Sequence, residues 1–466
     1  MKISELFETA KNTDNRIASI NLNDRLKETK GPCATINIHS QKTGQRFSGF
    51  GGAATESAGY VLSFLDEQKQ QEVVNLYYGN KNSNQYSFVR THMNSCDFSL
   101  ENWACVPQKD ESLESFSMER TDKYITPLLK KIYSGLIEQE KNCSTMVSTW
   151  SPPAWMKDNN NMNFGGHLLP KYKELWAKYF LKFFDELKKR GAKIDYVSIQ
   201  NEPAATQTWD SCIWTAEEEG EFASAYLGPL LEKNGYEKTK ILVWDHNRDF
   251  AWERFSASMK AANSDKYIAG IAYHWYSGDQ FKNIKQIAEY FPNKEIVFSE
   301  GCVEGGARNG KWFTGERYAH NIINDLNSGC SLWLDWNLFL DIEGGPNHAG
   351  NNCDAPILID TKTNECKYTL QSSYYYIGHF SRFIKPGATR IESSLLPCAV
   401  PSASDGQMGN TVECTSFKNP DGKIAVVICN RNEESISYTI KYDSCQISNI
   451  PLFCPAHAIQ TILIDI

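Results

Sequence analysis

The sequence has no excess of positive charge. Its 48 Lys and Arg stand against 56 Asp and Glu, a net of −8. That removes the electrostatic footprint of a nucleic-acid or anionic-membrane binder. No apolar run approaches the roughly 18 residues of a membrane-spanning helix. No CxxC occurs, and the 14 cysteines are scattered along the chain. Neither a small disulfide scaffold nor a zinc site is therefore expected, and the cysteines read as mostly free thiols. Gly (30) and Pro (17) are too few among 466 residues for a fibrous or low-complexity chain. The first 23 residues hold no apolar h-region and no small-residue cleavage site. No secretory signal is expected, which leaves a cytoplasmic protein or one exported by another route.

What is present is a recurring unit, a short apolar run followed by a helical stretch. Eight runs stand out: Phe47–Ala54, Tyr86–Met93, Ser144–Trp150, Asp195–Asn201, Lys240–His246, Ile268–Tyr276, Glu295–Glu300 and Ser331–Asn337. Runs apolar on both faces are the mark of parallel strands covered on both sides. Between them, Tyr172, Leu175, Trp176, Tyr179, Phe183 and Leu187 repeat at the helical period. Thr215 and Glu218 form a capping-box pattern. Gly191, Gly235 and Gly329 fall where helices should stop. Eight alternations predict an α/β fold, a (β/α)8 TIM barrel, over 47–385. The tail over 386–466 reads as β-strands separated by turns. It predicts a β-sandwich side domain, joined by N-terminal strands from 1–46.

Active sites of such barrels lie at the C-terminal strand ends. Run four ends in Gln200-Asn201-Glu202-Pro203 and run seven in Ser299-Glu300-Gly301. Two carboxylates facing each other across one barrel mouth suit glycoside hydrolysis. About 5–5.5 Å between them gives retention and a wider gap inversion. One must be held protonated and the other ionised. Asn201 beside Glu202 offers a neutral partner for a sugar 2-hydroxyl. A Glu elsewhere, such as Glu186, Glu217 or Glu304, reads as surface or as half of a structural ion pair. A binding module without turnover would lack one carboxylate, and both are here.

The blocks GFGGAATESAGYVLSFL, RTHMNSCDFS, STWSPPAWMK, SIQNEPAA, AYHWYSGD, VFSEGCVEGG and DWNLFLDIEGGPNHAGN resemble glycoside hydrolase family 30, most closely its glucosylceramidase branch. Order and spacing of all seven agree from about Gly49 to Phe383. The resemblance implies that Glu202 is the acid/base and Glu300 the nucleophile. It implies that Asp97 binds the sugar's 4- and 6-hydroxyls, that Trp150 and Trp336 line the sugar subsite, and that Asn201 meets the 2-hydroxyl. Asn351 would point into the same pocket. Tyr276 and His274 would support the two glutamates, and Arg90 would buttress the nucleophile by an ion pair. Glu56 reads as a helix N-terminal or supporting group, and Cys96 and Cys302 as small packing residues. The implied activity is a retaining β-glucosidase, foremost on glucosylceramide, a small glycolipid. The alternatives are a β-xyloside, a 6-deoxy sugar or a β-1,6-glucan. No metal, organic cofactor or nucleic-acid partner is expected. Departures fall at Gln207–Ser211 and His348, which would frame the aglycone entrance.

Overall fold

A computed structural model describes residues 1–26, 33–80, 82–137, 139, 141–363, 365, 367–396, 412–448 and 450–466. Eight parallel strands close into a barrel in chain order. They are β1 (Gly49–Ala53), β2 (Phe88–Met93), β3 (Ser144–Thr149), β4 (Ile194–Ser198), β5 (Lys240–Asn247), β6 (Ile268–His274), β7 (Glu295–Glu300) and β8 (Leu332–Asn337). All eight expected runs form these strands, with ends shifted by a few residues. The β4 ladder stops at Ser198, three residues before the expected end, so Asn201 and Glu202 stand on the loop above the barrel.

Phe88, Met146, Tyr196, Leu242, Ala272, Val297, Leu332 and Leu334 pack together inside the barrel. They fill its interior, so a site can open only at one end. Outside, the helix Lys173–Lys189 buries Trp176, Tyr179, Phe180, Phe183, Phe184 and Leu187, the stripe its period predicts. Thr215 and Glu218 make the reciprocal capping box on the helix Ala216–Glu221. The chain turns beyond Lys173–Lys189 and Phe313–Asn327 at Gly191 and Gly329, whose φ values of 94° and 110° suit glycine.

Three short strands, Phe339–Asp341, Ile357–Ile359 and Tyr368–Leu370, make a small sheet of their own, and the other described strands form one ten-stranded sheet. Lys2–Ala10 pairs antiparallel with Ala458–Asp465, and Cys33–Arg46 pairs with both Thr389–Leu396 and Ile436–Tyr442. Leu6 and Ile462 from one end of this sheet share a core with Ile38 and Ile440 from the other. The sheet therefore doubles over on itself as a sandwich. It is tied to the barrel through buried polar contacts. His379 bonds Thr9 and Thr461 at 2.9 Å each, and His320 bonds Glu413 at 2.8 Å. All 11 cysteines whose side chains are described are unpaired thiols.

Candidate active site

The C-terminal strand ends enclose a cavity of about 690 Å³, open mouth included. Glu202, Glu300, Asp97, Trp150, Asn201, Tyr276, Trp336 and Asn351 all line it. Arg90 and His274 lie directly behind, fully buried. The fold thus brings all ten residues singled out in the sequence to one place.

Arg90 points inward from β2 and spends every donor there. It bonds Ser148 Oγ at 3.0 Å, Ser299 O at 3.2 Å, Asn201 Oδ1 at 3.0 Å and Asp245 Oδ2 at 3.0 Å, and it pairs with Glu300. Its guanidinium lies 4.9 Å from the Trp150 ring and 5.1 Å from that of Trp336. Those two indoles stack at 5.4 Å and 23°. Because Arg90 occupies the amide oxygen of Asn201, the amide NH2 is left to donate to a ligand. Tyr276 donates to the other oxygen of Glu300 at 3.1 Å. His274 sits between the carboxylates, with Nδ1 3.5 Å from Glu202 and Nε2 3.9 Å from Glu300. Asn347 donates to Asp97 at 3.2 Å.

Residues 47–384 match the Glycosyl hydrolase family 30 TIM-barrel domain, and residues 387–462 its beta sandwich domain. The chain belongs to glycosyl hydrolase family 30. It is 31% identical to the mouse lysosomal acid glucosylceramidase over 92% of this chain and 83% of that protein. It is 25% identical to a Neurospora crassa endo-1,6-β-D-glucanase over 86% of this chain and 82% of that protein. Among solved structures, SrfJ from Salmonella typhimurium superposes with a TM-score of 0.88 at 32% identity, covering 99% of both chains. This family-30 protein is accordingly a glycoside hydrolase with the TIM-barrel and β-sandwich architecture of its relatives.

Several features of its site were not singled out in the sequence. Asp245 ends the apolar part of β5, fully buried. It binds Arg90, His274 Nε2 at 3.1 Å and Ser299 Oγ at 2.5 Å. Its place at a strand end was a usable signal. The backbone there is left-handed, with φ of 75° at Trp244, 44° at Asp245 and 48° at Glu202. Such strain is held by surrounding bonds, here Glu219 accepting from Trp244 N and Asp245 O accepting from Glu202 N, both at 2.9 Å. Glu304, read as a surface residue, stands on the cavity rim, as do His246 and Asn247. Glu56 lies elsewhere, held by Arg120, Trp103 Nε1 and the Leu100 amide.

The cavity does not hold protons in the pattern read from the sequence. Burial pushes Glu202 up, but the bond from His274 and the charges of His246 and His274 outweigh it, bringing Glu202 down to about 2. Burial raises Glu300 against the pull of His274 and Arg90. His274, despite burial, is lifted to about 9 by Glu300, Asp245 and Glu202. The working proton belongs to the Glu202–His274–Glu300 group as a whole. Burial and the neighbouring Glu300, Glu202 and Asp210 raise Asp97 to about 8.

His274 keeps its proton below about 9 and loses it above, so kcat/KM should fall on its basic side as this group deprotonates. In His274→Gln the proton must sit on Glu202 itself, a buried carboxyl without its cation. The basic limb should then move to lower pH by about one unit or more. A pH profile of kcat/KM checks this; an unmoved limb would assign the proton elsewhere.

Proposed function

We propose that this glycoside hydrolase is a retaining β-glucosidase. The carrying observation is that Glu202 and Glu300 line one cavity on either side of a single imidazole. Glu300 is held by Arg90 and Tyr276 with its carboxylate toward the ligand space. In this reading Glu300 attacks the anomeric carbon while Glu202 delivers the proton to the leaving oxygen. The covalent glucosyl-enzyme is then hydrolysed by water that Glu202 deprotonates, releasing β-glucose. Asn201 supplies the donor for the 2-hydroxyl, and Trp150 and Trp336 the aromatic wall. Asp97 and Asn351 close the end that takes the 4- and 6-hydroxyls. Arg90 and Asp245 do not touch the sugar and act by orienting Glu300 and His274. NMR of the first product tests the stereochemistry: β-glucose is expected, and α-glucose would mean inversion.

Glucosylceramide is supported as substrate by the relatives that carry that activity in their names. A glucosyl-sugar is supported by the polar Gln207–Ser211 loop and by the endo-1,6-glucanase relatives. Both leaving groups share the same glucose-binding end.

Asp97 carries the sugar preference. A buried carboxyl built to pair two hydroxyls is left unsatisfied when one is missing, a penalty that aromatic rings do not impose. Aryl β-glucosides should outpace aryl β-xylosides, which lack the hydroxymethyl group, by on the order of ten- to a hundredfold in kcat/KM. Asp97→Ala should shrink that gap by damaging glucoside turnover more. Equal losses on both sugars would make Asp97 a brace for its loop only.

A further inference from the structure

We propose that the Gln207–Ser211 loop is a leaving-group subsite for a second sugar ring, with Trp209 as its platform and Gln207 holding Glu202 toward the glycosidic oxygen. The inference rests on the glucosidase reading above and specifies the leaving group that it left open. Gln207 and Trp209 line the same cavity as the catalytic pair. Gln207 Nε2 donates to Glu202 Oε2 at 3.2 Å, which puts the loop on the acid/base side, where the leaving group departs. The half-buried Trp209 packs against the Trp150, Trp336 and Cys302 cluster, so an exposed part of its ring continues the aromatic wall outward.

The loop is held in place by a set of mostly buried bonds. Asp210, buried beneath it, accepts from Asn102 at 2.9 Å and from Ser95, and pairs with His348 at 3.0 Å. Lys157, buried, donates to Ser211 O at 2.6 Å, Ser151 Oγ at 3.1 Å and Met162 O at 3.1 Å. Ser211 Oγ takes the amides of Gly165 at 3.0 Å and Gln207 at 3.2 Å. A platform fixed before binding costs the ligand less ordering entropy.

The lining selects the chemistry. None of the described residues that line the cavity is aliphatic. Glu304, His246 and Asn247 line it together with Trp209. A flat ring among polar side chains matches a sugar, which has a C–H face and a rim of hydroxyls. An acyl chain would desolvate those polar groups without replacing their bonds. The exposed Phe164, whose amide bonds Gln207 O at 2.8 Å, is the loop's apolar flank. A lipid arm is therefore built into the test.

The enzyme is trapped with 2-deoxy-2-fluoro-β-glucosyl fluoride and desalted. Its reactivation is followed in buffer, with methyl β-glucoside, and with a short-chain ceramide in detergent micelles. Methyl β-glucoside should speed reactivation saturably by about fivefold or more, by accepting the glucosyl group at Trp209. Trp209→Ala should abolish the acceleration, and Trp209→Phe, which keeps the packing, should retain part of it. In Gln207→Leu, Glu202 loses a donor that favours its anion. The acidic limb of reactivation in buffer should then move to higher pH, a change that a merely structural residue would not cause. No acceleration by the sugar, a larger one by ceramide, or full acceleration in Trp209→Ala would overturn the proposal. Failure to trap the enzyme at Glu300 would instead overturn the glucosidase reading beneath it.

Discussion

Glu300→Gln should lose on the order of 10⁴-fold or more in kcat while keeping the fold. The amide is isosteric with the carboxyl but cannot form the glycosyl ester. The stability outcome has a sign. Glu300 is raised in the folded protein by burial, so above its unfolded value its charge costs stability. Replacing it with a neutral amide should leave the thermal midpoint at neutral pH unchanged or higher. Mass spectrometry of the protein trapped with 2-deoxy-2-fluoro-β-glucosyl fluoride should place the label on Glu300 alone. A label on another residue would remove Glu300 as nucleophile.

Arg90→Met should damage both stability and turnover. Arg90 and Asp245 are fully buried, and Glu300 is 6% exposed. Removing the cation leaves two carboxylates facing each other with nothing between them but His274. Breaking a buried pair in this way costs about 3–5 kcal/mol, which chemical denaturation would read directly. Turnover should fall on the order of 100-fold or more, because Glu300 and Asn201 lose their common anchor. Arg90→Lys separates the two effects. It restores a charge but not the fork that reaches five partners, so stability should recover in part while activity stays low. Full activity in Arg90→Lys would show that charge alone suffices.

The barrel was legible because each strand is apolar on both faces and each helix carries one stripe, two periods that do not imitate each other. Glu202 and Glu300 were legible because strand-end position distinguishes them from surface glutamates. Asp245 carries the same strand-end signal but no motif around it, and only the closed barrel brings it to Arg90 from β2. Glu304 is exposed, as its surface reading expects, and what the sequence did not show is that this surface is also part of the cavity lining. The proton distribution was out of reach, since it depends on where one imidazole lies between residues about a hundred positions apart. The joining of the N-terminal strands to the sandwich of the tail was legible, but which strand pairs with which was not.

That pairing sets an order of events during synthesis. Lys2–Ala10 is made long before its partner Ala458–Asp465. At about 5–20 residues per second the first strand waits roughly 20–90 s for its neighbour. The barrel strands, all between Gly49 and Asn337, can close in that interval. The early strands Lys2–Ala10 and Cys33–Arg46 meanwhile present open edges to any other chain nearby. Nascent protein should therefore be most prone to aggregate until Ala458–Asp465 is made, and should depend in that interval on factors that shield unpaired strands.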